Sequence, residues 1–154
     1  MTTPAFSPDE IQTGDATRAA RLKWVVIVDR DTAPGRMVNA VACVSAATGA
    51  LVDGMIARGG PDAEGAHHPG LPWAGCTVLA TSAEKLANAR AKAVAADTLL
   101  VVDMPLSAQT NRVYDEYLAE LATTAPADLA VTAVSIVGER ADVDAIVKRL
   151  SLLT

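Results

Sequence analysis

The stretch that decides the fold is residues 23–49, KWVVIVDRDTAPGRMVNAVACVSAATG. Residues 24–28 form an apolar run without polar alternation, a pattern typical of a strand that is covered on both faces. The charged turn after this run contains Pro34 and Gly35, and we predict a helix from there to Ala47. We expect this helix to be buried, because its residues are apolar almost all round. A buried strand followed by a buried helix predicts an α/β fold.

The rest of the chain continues the alternation of strand and helix. Further strands are predicted at residues 76–80, 98–102 and 130–137, and further helices at residues 81–95, 107–123 and 142–150. Residues 51–75 are rich in glycine and proline and are interpreted as a long irregular connection. Gly138 is interpreted as the turn into the last helix. The pattern predicts a three-layer α/β/α fold with a mixed, mostly parallel four-stranded sheet, in which residues 1–22 are a lead-in and residues 23–154 a single domain.

The composition excludes several classes of protein. The chain has 154 residues and a net charge of −5, which argues against a broad nucleic-acid surface because phosphate binding depends on Lys and Arg. No apolar run approaches the roughly 20 residues that span a bilayer, so we expect no membrane association. Cys43 and Cys76 do not suggest a disulfide framework, and no signal peptide is recognisable, so we expect a cytoplasmic protein.

Polar side chains follow the first and the third predicted strands. Ligands of open α/β sheets bind at the carboxyl ends of the strands, and two such ends lying side by side would form a polar crevice. We predict that Arg36 and Asp103 are catalytic in this crevice. The predicted ligand-binding residues are Arg30, Asp31, Asn39, Ser107, Gln109, Asn111 and Arg112. Arginines offer fork-shaped donors to an anionic ligand, whereas the amides fix its orientation.

The same residues also have a purely structural interpretation. An ion pair would close the end of the sheet, and loop backbone would satisfy Asn39. Cys43 is interpreted as a small core residue, because a nucleophilic cysteine needs an electropositive, partly exposed setting.

No metal or cofactor is predicted. His67 and His68 lie near Asp62, but adjacent histidines in an extended chain point in opposite directions, and no Cys or His cluster has the spacing of a zinc site. The glycines match neither the dinucleotide-binding nor the phosphate-loop motif.

Several motifs spread over nearly the whole chain resemble one bacterial family. They are KWVVIVD at residues 23–29, Gly35 with Asn39, HPG at residues 68–70, YDEY at residues 114–117, and Gly138 before the last helix. The family is the one catalogued as domain of unknown function 2000. This resemblance implies no established activity.

A second resemblance is to type II peptidyl-tRNA hydrolases. It rests on Asp31, Gly35 and Arg36 in the first turn, Cys43 in the helix, and Asp103 with Gln109 after the third strand. Arg36 stands where those hydrolases carry lysine, no second lysine follows it, and residues 106–126 insert a helix where they have a short loop. The resemblance implies a peptidyl-tRNA hydrolase II-like fold.

Two functions follow from these observations. The first is a binding protein that holds a small anionic ligand or a peptide end in the crevice, and the missing lysines favour it. The alternative is a hydrolase of an ester such as peptidyl-tRNA, in which Asp103 orients water and Arg36 stabilises a developing oxyanion. The acidic charge disfavours tRNA as a partner. The Ala- and Val-rich helices are compatible with a homodimer as well as with a monomer.

Overall fold

The computed structural model describes residues 3–154, which form one five-stranded mixed sheet, a small hairpin, five α-helices and two 3₁₀ helices, Pro8–Glu10 and Thr17–Ala19. The strands are β1 (Leu22–Asp29), β2 (Gly60–Pro61), β3 (His67–His68), β4 (Thr77–Thr81), β5 (Leu100–Pro105), β6 (Val131–Glu139) and β7 (Ser151–Leu152). The helices are α1 (Pro34–Leu51), α2 (Ala83–Val94), α3 (Leu106–Thr110), α4 (Tyr114–Thr123) and α5 (Arg140–Val147). Within the described part of the chain, no helix is both long and apolar enough to cross a membrane.

The strands of the main sheet lie in the order β5-β6-β1-β4-β7. The α/β class and the mixed sheet are confirmed, but the expected four strands are wrong, because β7 follows the last predicted helix as a fifth. The expected mostly parallel pairing is also wrong. Only β1 and β4 pair in parallel, whereas β1 with β6, β5 with β6, and β4 with β7 are antiparallel. The chain enters β6 beside the end of β5, where Pro105 pairs with Val131, so no helix crosses back over the sheet between these strands.

Two apolar clusters, one on each face of the sheet, make up the core. Trp24, Val26 and Val28 of β1 belong to the cluster that contains Ala40 and Val44 of α1. Val25 and Ile27 belong to the other cluster, together with Leu86 and Ala89 of α2 and Val143 of α5. Alternate residues of a strand point to opposite faces, so the continuous apolar run of β1 serves both helical layers. The central, doubly covered strand predicted at residues 24–28 is therefore confirmed.

The sequence predicted that the first helix is buried all round, but the structure shows that one side of it is exposed. Its buried residues are Ala40, Val44 and Thr48, which face the sheet, whereas Val38 on the outer side is 68% exposed. Cys43 is also exposed, which corrects its interpretation as a core residue. A helix with apolar residues on every side is buried all round only when other elements also cover its outer side. Because α1 forms an outer layer of the fold, its outer side remains exposed.

Two predicted features of the second half need correction. The single helix predicted at residues 107–123 is divided into α3 and α4, because Asn111 leaves the helical conformation and its backbone N–H and side-chain amide both donate to the carbonyl of Ser107. Gly138 is not a turn but lies within β6, opposite Lys23. A Cβ atom there would lie 2.3 Å from Cδ2 of Leu99, so a larger residue would require the buried Leu99 side chain to shift.

The long connection after α1 is folded back on itself. Met55 is buried, Ile56 and Pro72 form an isolated bridge, and β2 pairs with β3 as a separate hairpin. The N-terminal residues pack against this region, with the rings of Phe6 and Trp73 4.8 Å apart. This region lies apart from the carboxyl ends of the central strands, where the candidate site is found.

Candidate functional site

The carboxyl end of β1 opens into a cleft of about 570 Å³, which we call the Arg36 cleft. It is lined by Asp29, Asp31, Thr32, Ala33 and Arg36 of the first turn, by Ala83 and Ala87 of α2, by Leu106, and by residues 127–132 before and within β6. Because β6 is antiparallel to β1, the start of β6 lies beside the end of β1. The first turns of α1 and α2 contribute to the same cleft.

The Arg36 cleft carries three carboxylates and one guanidinium. The carboxylates belong to Asp29, Asp31 and Asp128. One oxygen of Asp29 accepts a hydrogen bond of 3.2 Å from the backbone N–H of Asp31, which shapes the turn. Arg36 is exposed, and no carboxylate of residues 3–154 lies within ion-pair distance of its guanidinium. Its charge is therefore available to a ligand.

A set of amide hydrogen bonds lies next to this cleft, although Gln109 and Asn39 do not themselves line it. The Nε2 amide of Gln109 donates to the carbonyl of Arg36 and to Oδ1 of Asn39, both at 2.9 Å. Its Oε1 atom accepts a 2.9 Å hydrogen bond from the hydroxyl of Thr132 in β6. Gln109 thus ties α3 to α1 and to the sheet. Both amides were predicted to bind ligand, but much of their hydrogen-bonding capacity is used within the protein.

Asp103 lies away from Arg36. The sequence-based interpretation put the ends of β1 and β5 side by side, and this is wrong because β6 lies between these strands. The carboxylate of Asp103 instead pairs with the guanidinium of Arg90 on α2, and their side chains are 23% and 20% exposed. The two residues predicted to be catalytic therefore line different clefts.

A second cleft of about 590 Å³ lies between α1, β5 and the α3–α4 segment, and we call it the β5 cleft. It is lined by Cys43, Val44, Ala47, residues 102–105, Ala108, Asn111, Arg112, Val113, Tyr114 and Tyr117. The rings of Tyr114 and Tyr117 meet edge to face, 5.5 Å apart. Burial raises the pKa of Tyr117, and the nearby Tyr114 and Asp103 raise it further.

The remaining predicted residues are divided between the two clefts or lie outside them. Asp31 lines the Arg36 cleft, and Asn111 and Arg112 line the β5 cleft. Ser107 lines neither cleft, and its carbonyl accepts hydrogen bonds from Asn111. Arg30 is exposed outside both clefts, and its backbone N–H donates to the carbonyl of Thr81. The residues of the single predicted crevice therefore line two separate clefts or lie outside both.

Sequence reasoning missed several residues of the Arg36 cleft. Asp29 directly follows the strand predicted at residues 24–28, close to Asp31, so its position was a usable signal. Asp128 and Thr132 carried no such signal, because they reach the cleft only through the antiparallel entry of β6.

No metal centre is evident in the described ranges. Residues 3–154 hold no group of three or more His, Cys, Asp or Glu side chains arranged to bind a metal ion. Nε2 of His68 lies 3.3 Å from a carboxylate oxygen of Asp62, and both side chains are exposed. This contact belongs to the β2–β3 hairpin.

Comparisons with known proteins define the family. No curated protein matches the chain. Among solved structures, the protein of unknown function Atu0240 from Agrobacterium tumefaciens strain C58 is similar to it, with a TM-score of 0.77 and 20% identity over 87% of this chain and 98% of that one. At this identity the similarity shows a shared fold alone. The family described as Protein of unknown function (DUF2000) matches residues 22–154, and the chain therefore belongs to that family.

Proposed function

We propose that this chain is a binding protein and that the Arg36 cleft holds a small zwitterion, such as a free amino acid or a short peptide bound by its end. The observation that carries the proposal is an unpaired guanidinium in the same cleft as three carboxylates. A zwitterion offers a partner to both kinds of charge. The sequence alone suggested a small anionic ligand or a peptide end. The charges of the cleft favour ligands that carry an amino group as well as a carboxylate.

Arg36 is suited to bind the carboxylate of the ligand. A guanidinium presents two parallel N–H donors that match the two oxygens of a carboxylate. Arg36 lies in the first turn of α1, whose N-cap residue Ala33 makes no side-chain capping hydrogen bond. The free N–H groups and the positive end of the helix dipole therefore also favour negative charge at this position.

The carboxylates of the cleft are suited to bind the amino group of the ligand. A purely anionic ligand would gain from Arg36 but would be repelled by Asp29, Asp31 and Asp128. An ammonium group on the same ligand turns this repulsion into attraction. The apolar side chains of Leu106 and Leu129 also line the cleft, so the ligand can carry an apolar side chain.

Ester hydrolysis, including that of peptidyl-tRNA, stays the alternative hypothesis with weaker support. A general base and an oxyanion donor must reach the same reacting group. Asp103 pairs with Arg90 and lines the β5 cleft, whereas Arg36 lines the other cleft. The catalytic roles of Arg36 and Asp103 and the peptidyl-tRNA hydrolase II-like fold stay predictions.

Isothermal titration of the native protein with the common L-amino acids and a set of dipeptides tests the proposal. Arg36→Ala should weaken binding of the best ligand about tenfold or more, because a charge-assisted hydrogen bond contributes about 1.5–3 kcal/mol. Arg30→Ala is the matched control, since Arg30 is exposed nearby but does not line the cleft, and it should leave the affinity unchanged. Equal losses in both variants, or no binding across the panel, would count against the proposal.

A second assay distinguishes binding from hydrolysis. Single-turnover deacylation of an N-acyl-aminoacyl-tRNA is measured with protein in large excess, using the native chain, Arg36→Ala and Asp103→Ala. A binding protein should give no cleavage in any of the three. Cleavage that is lost in either variant would make the hydrolase hypothesis the better one.

A further inference from the structure

We propose that the open edge of β5 and the adjoining β5 cleft bind an extended peptide segment that carries apolar side chains and one acidic side chain. This surface is distinct from the Arg36 cleft, and the proposal does not depend on the function assigned there. It rests on the topology of the sheet, on the shape and lining of the cleft, and on one unpaired charge.

The first observation is that β5 is a six-residue edge strand. It is terminal in the sheet and pairs only with β6 in the described residues, whereas β7 at the opposite edge has two residues. Residues 100–103 are all partly exposed, although Val134 and Ile136 on the neighbouring β6 are fully buried. An edge strand of this kind presents a row of unpaired backbone N–H and C=O groups, to which another extended chain can bind.

The second observation is that the open edge adjoins a cleft with apolar walls. Val102 and Met104 of β5 line the cleft, and Val44, Ala47 and the two tyrosines stand across from them. Side chains of an added strand alternate between the two faces of the sheet. Side chains of a paired peptide that lie beside Val102 and Met104 on the α1 face would therefore enter this cleft. Strand addition of this type draws affinity from the backbone and specificity from pockets for alternate side chains.

The third observation concerns α4, which flanks the cleft and has no buried residue. Tyr114 and Leu118 of α4 are 73% and 44% exposed, and the preceding Val113 is 50% exposed. A helix of this length owes most of its stability to packing of its apolar face, and here that face has little cover. A bound apolar segment would supply the missing contacts.

The charges of the β5 cleft indicate the chemistry of the segment. Two charged residues line the cleft, and one of them, Asp103, is neutralised by Arg90. Arg112 has no ion-pair partner within residues 3–154, so the free charge is positive. A single acidic side chain of the peptide matches Arg112, whereas several would be repelled by the acidic residues of α4, Asp115, Glu116 and Glu120.

A second copy of the chain fits this surface less well than a peptide. Pairing of β5 with its own copy would bring the two α4 regions together. The α4 helix carries Asp115, Glu116 and Glu120 and no basic residue, so such a contact would oppose like charges.

The test uses terminally blocked octapeptides that alternate apolar with polar residues and carry one glutamate, with the glutamate in each possible position. Binding is followed by amide chemical shifts of the full chain. The best peptide should shift the amide signals of residues 100–104, and replacing its glutamate by glutamine should weaken its binding about tenfold. In Arg112→Gln that difference should vanish, whereas the matched control Arg149→Gln, at a residue that lines a separate cleft between α2 and α5, should keep it.

Backbone pairing is tested without altering the protein. Two versions of the best peptide are made with N-methyl groups on alternate residues, so that one version loses the N–H groups facing β5 and the other loses those facing solvent. The first should bind at least tenfold more weakly, and the second should bind like the parent. Equal affinities of the two versions would overturn the proposal, as would no binding by any octapeptide at millimolar concentration. A dimer in sedimentation, with the β5 amides protected from hydrogen exchange, would also overturn it.

Discussion

The centre of the sheet and its carboxyl rim differ in chemistry although a single strand, β1, runs through both. In the centre, residues 25–28 are fully buried and apolar. At the rim the same strand ends at Asp29. Two exposed, charged residues follow it, Asp31 in the connection and Arg36 in the first turn of α1. The comparison teaches that the residues that stabilise the sheet are spatially separate from those proposed to bind a ligand. Substitutions in the centre should change the free energy of unfolding, and substitutions at the rim should change ligand affinity.

The largest effect is expected in the centre of the sheet. Ile27→Ala removes a fully buried side chain from β1 between α2 and α5, and should lower the free energy of unfolding by about 2–5 kcal/mol through lost burial and a residual cavity. Urea denaturation measures the change. Val38→Ala on the exposed side of α1 is the control, and its effect should stay within about 0.5 kcal/mol. Similar losses in both variants would contradict the separation.

An intermediate effect is expected for Asp103, which the sequence assigned to the rim. Asp103→Asn weakens the pair with Arg90, and should cost about 1 kcal/mol of stability because the pair is only partly exposed. It should leave affinity for a ligand of the Arg36 cleft unchanged. Urea denaturation and calorimetry on the same samples check both quantities.

Asp144→Asn is the matched control for Asp103→Asn. It weakens the pair of Asp144 with Lys23, which is more exposed, and should cost less. If Asp103→Asn instead lowered ligand affinity as Arg36→Ala does while stability stayed constant, Asp103 would belong to the recognition site after all.

The smallest effect is expected at the N-terminal segment, far from both regions. The Arg21 guanidinium and the backbone N–H of Ser7 hold the pKa of Glu10 at about 2, below its ordinary value of 4.5. Because the folded state binds fewer protons there, this stabilisation is present in full above pH 4.5 and is lost as the pH falls towards 2. Urea denaturation across this range should show the stability difference between the native protein and Glu10→Gln shrinking as the pH falls.

Glu64→Gln controls for the general effect of removing one carboxylate. The side chain of Glu64 is exposed and makes no hydrogen bond or ion pair among the described residues 3–154. It should behave like the native protein at every pH. A difference for Glu10→Gln that does not depend on pH would rule out the assigned role of the Glu10 carboxylate.

Much of the fold was predictable because the signals were local. The apolar run at residues 24–28 indicated a doubly covered strand, and Pro34 with Gly35 indicated the start of a helix. The motifs that resembled the DUF2000 family pointed to the family that the chain belongs to. The candidate site was less predictable. Arg36 and Asp31 were identified from the turn, whereas Asp128 enters the Arg36 cleft through a pairing between distant segments.

The sequence by itself determined where the main strands lie. It also determined that residues 24–28 of β1 face the core, and that charged residues follow the carboxyl end of this strand. These features depend on side-chain polarity and on the periodicity of neighbouring residues, which are local properties. Only the tertiary structure decided that β6 separates β1 from β5, that Asp103 pairs with Arg90, and that there are two clefts. Strand order and direction depend on contacts between residues far apart in the chain. The periodicity of apolar residues within one strand does not indicate which other strand lies beside it.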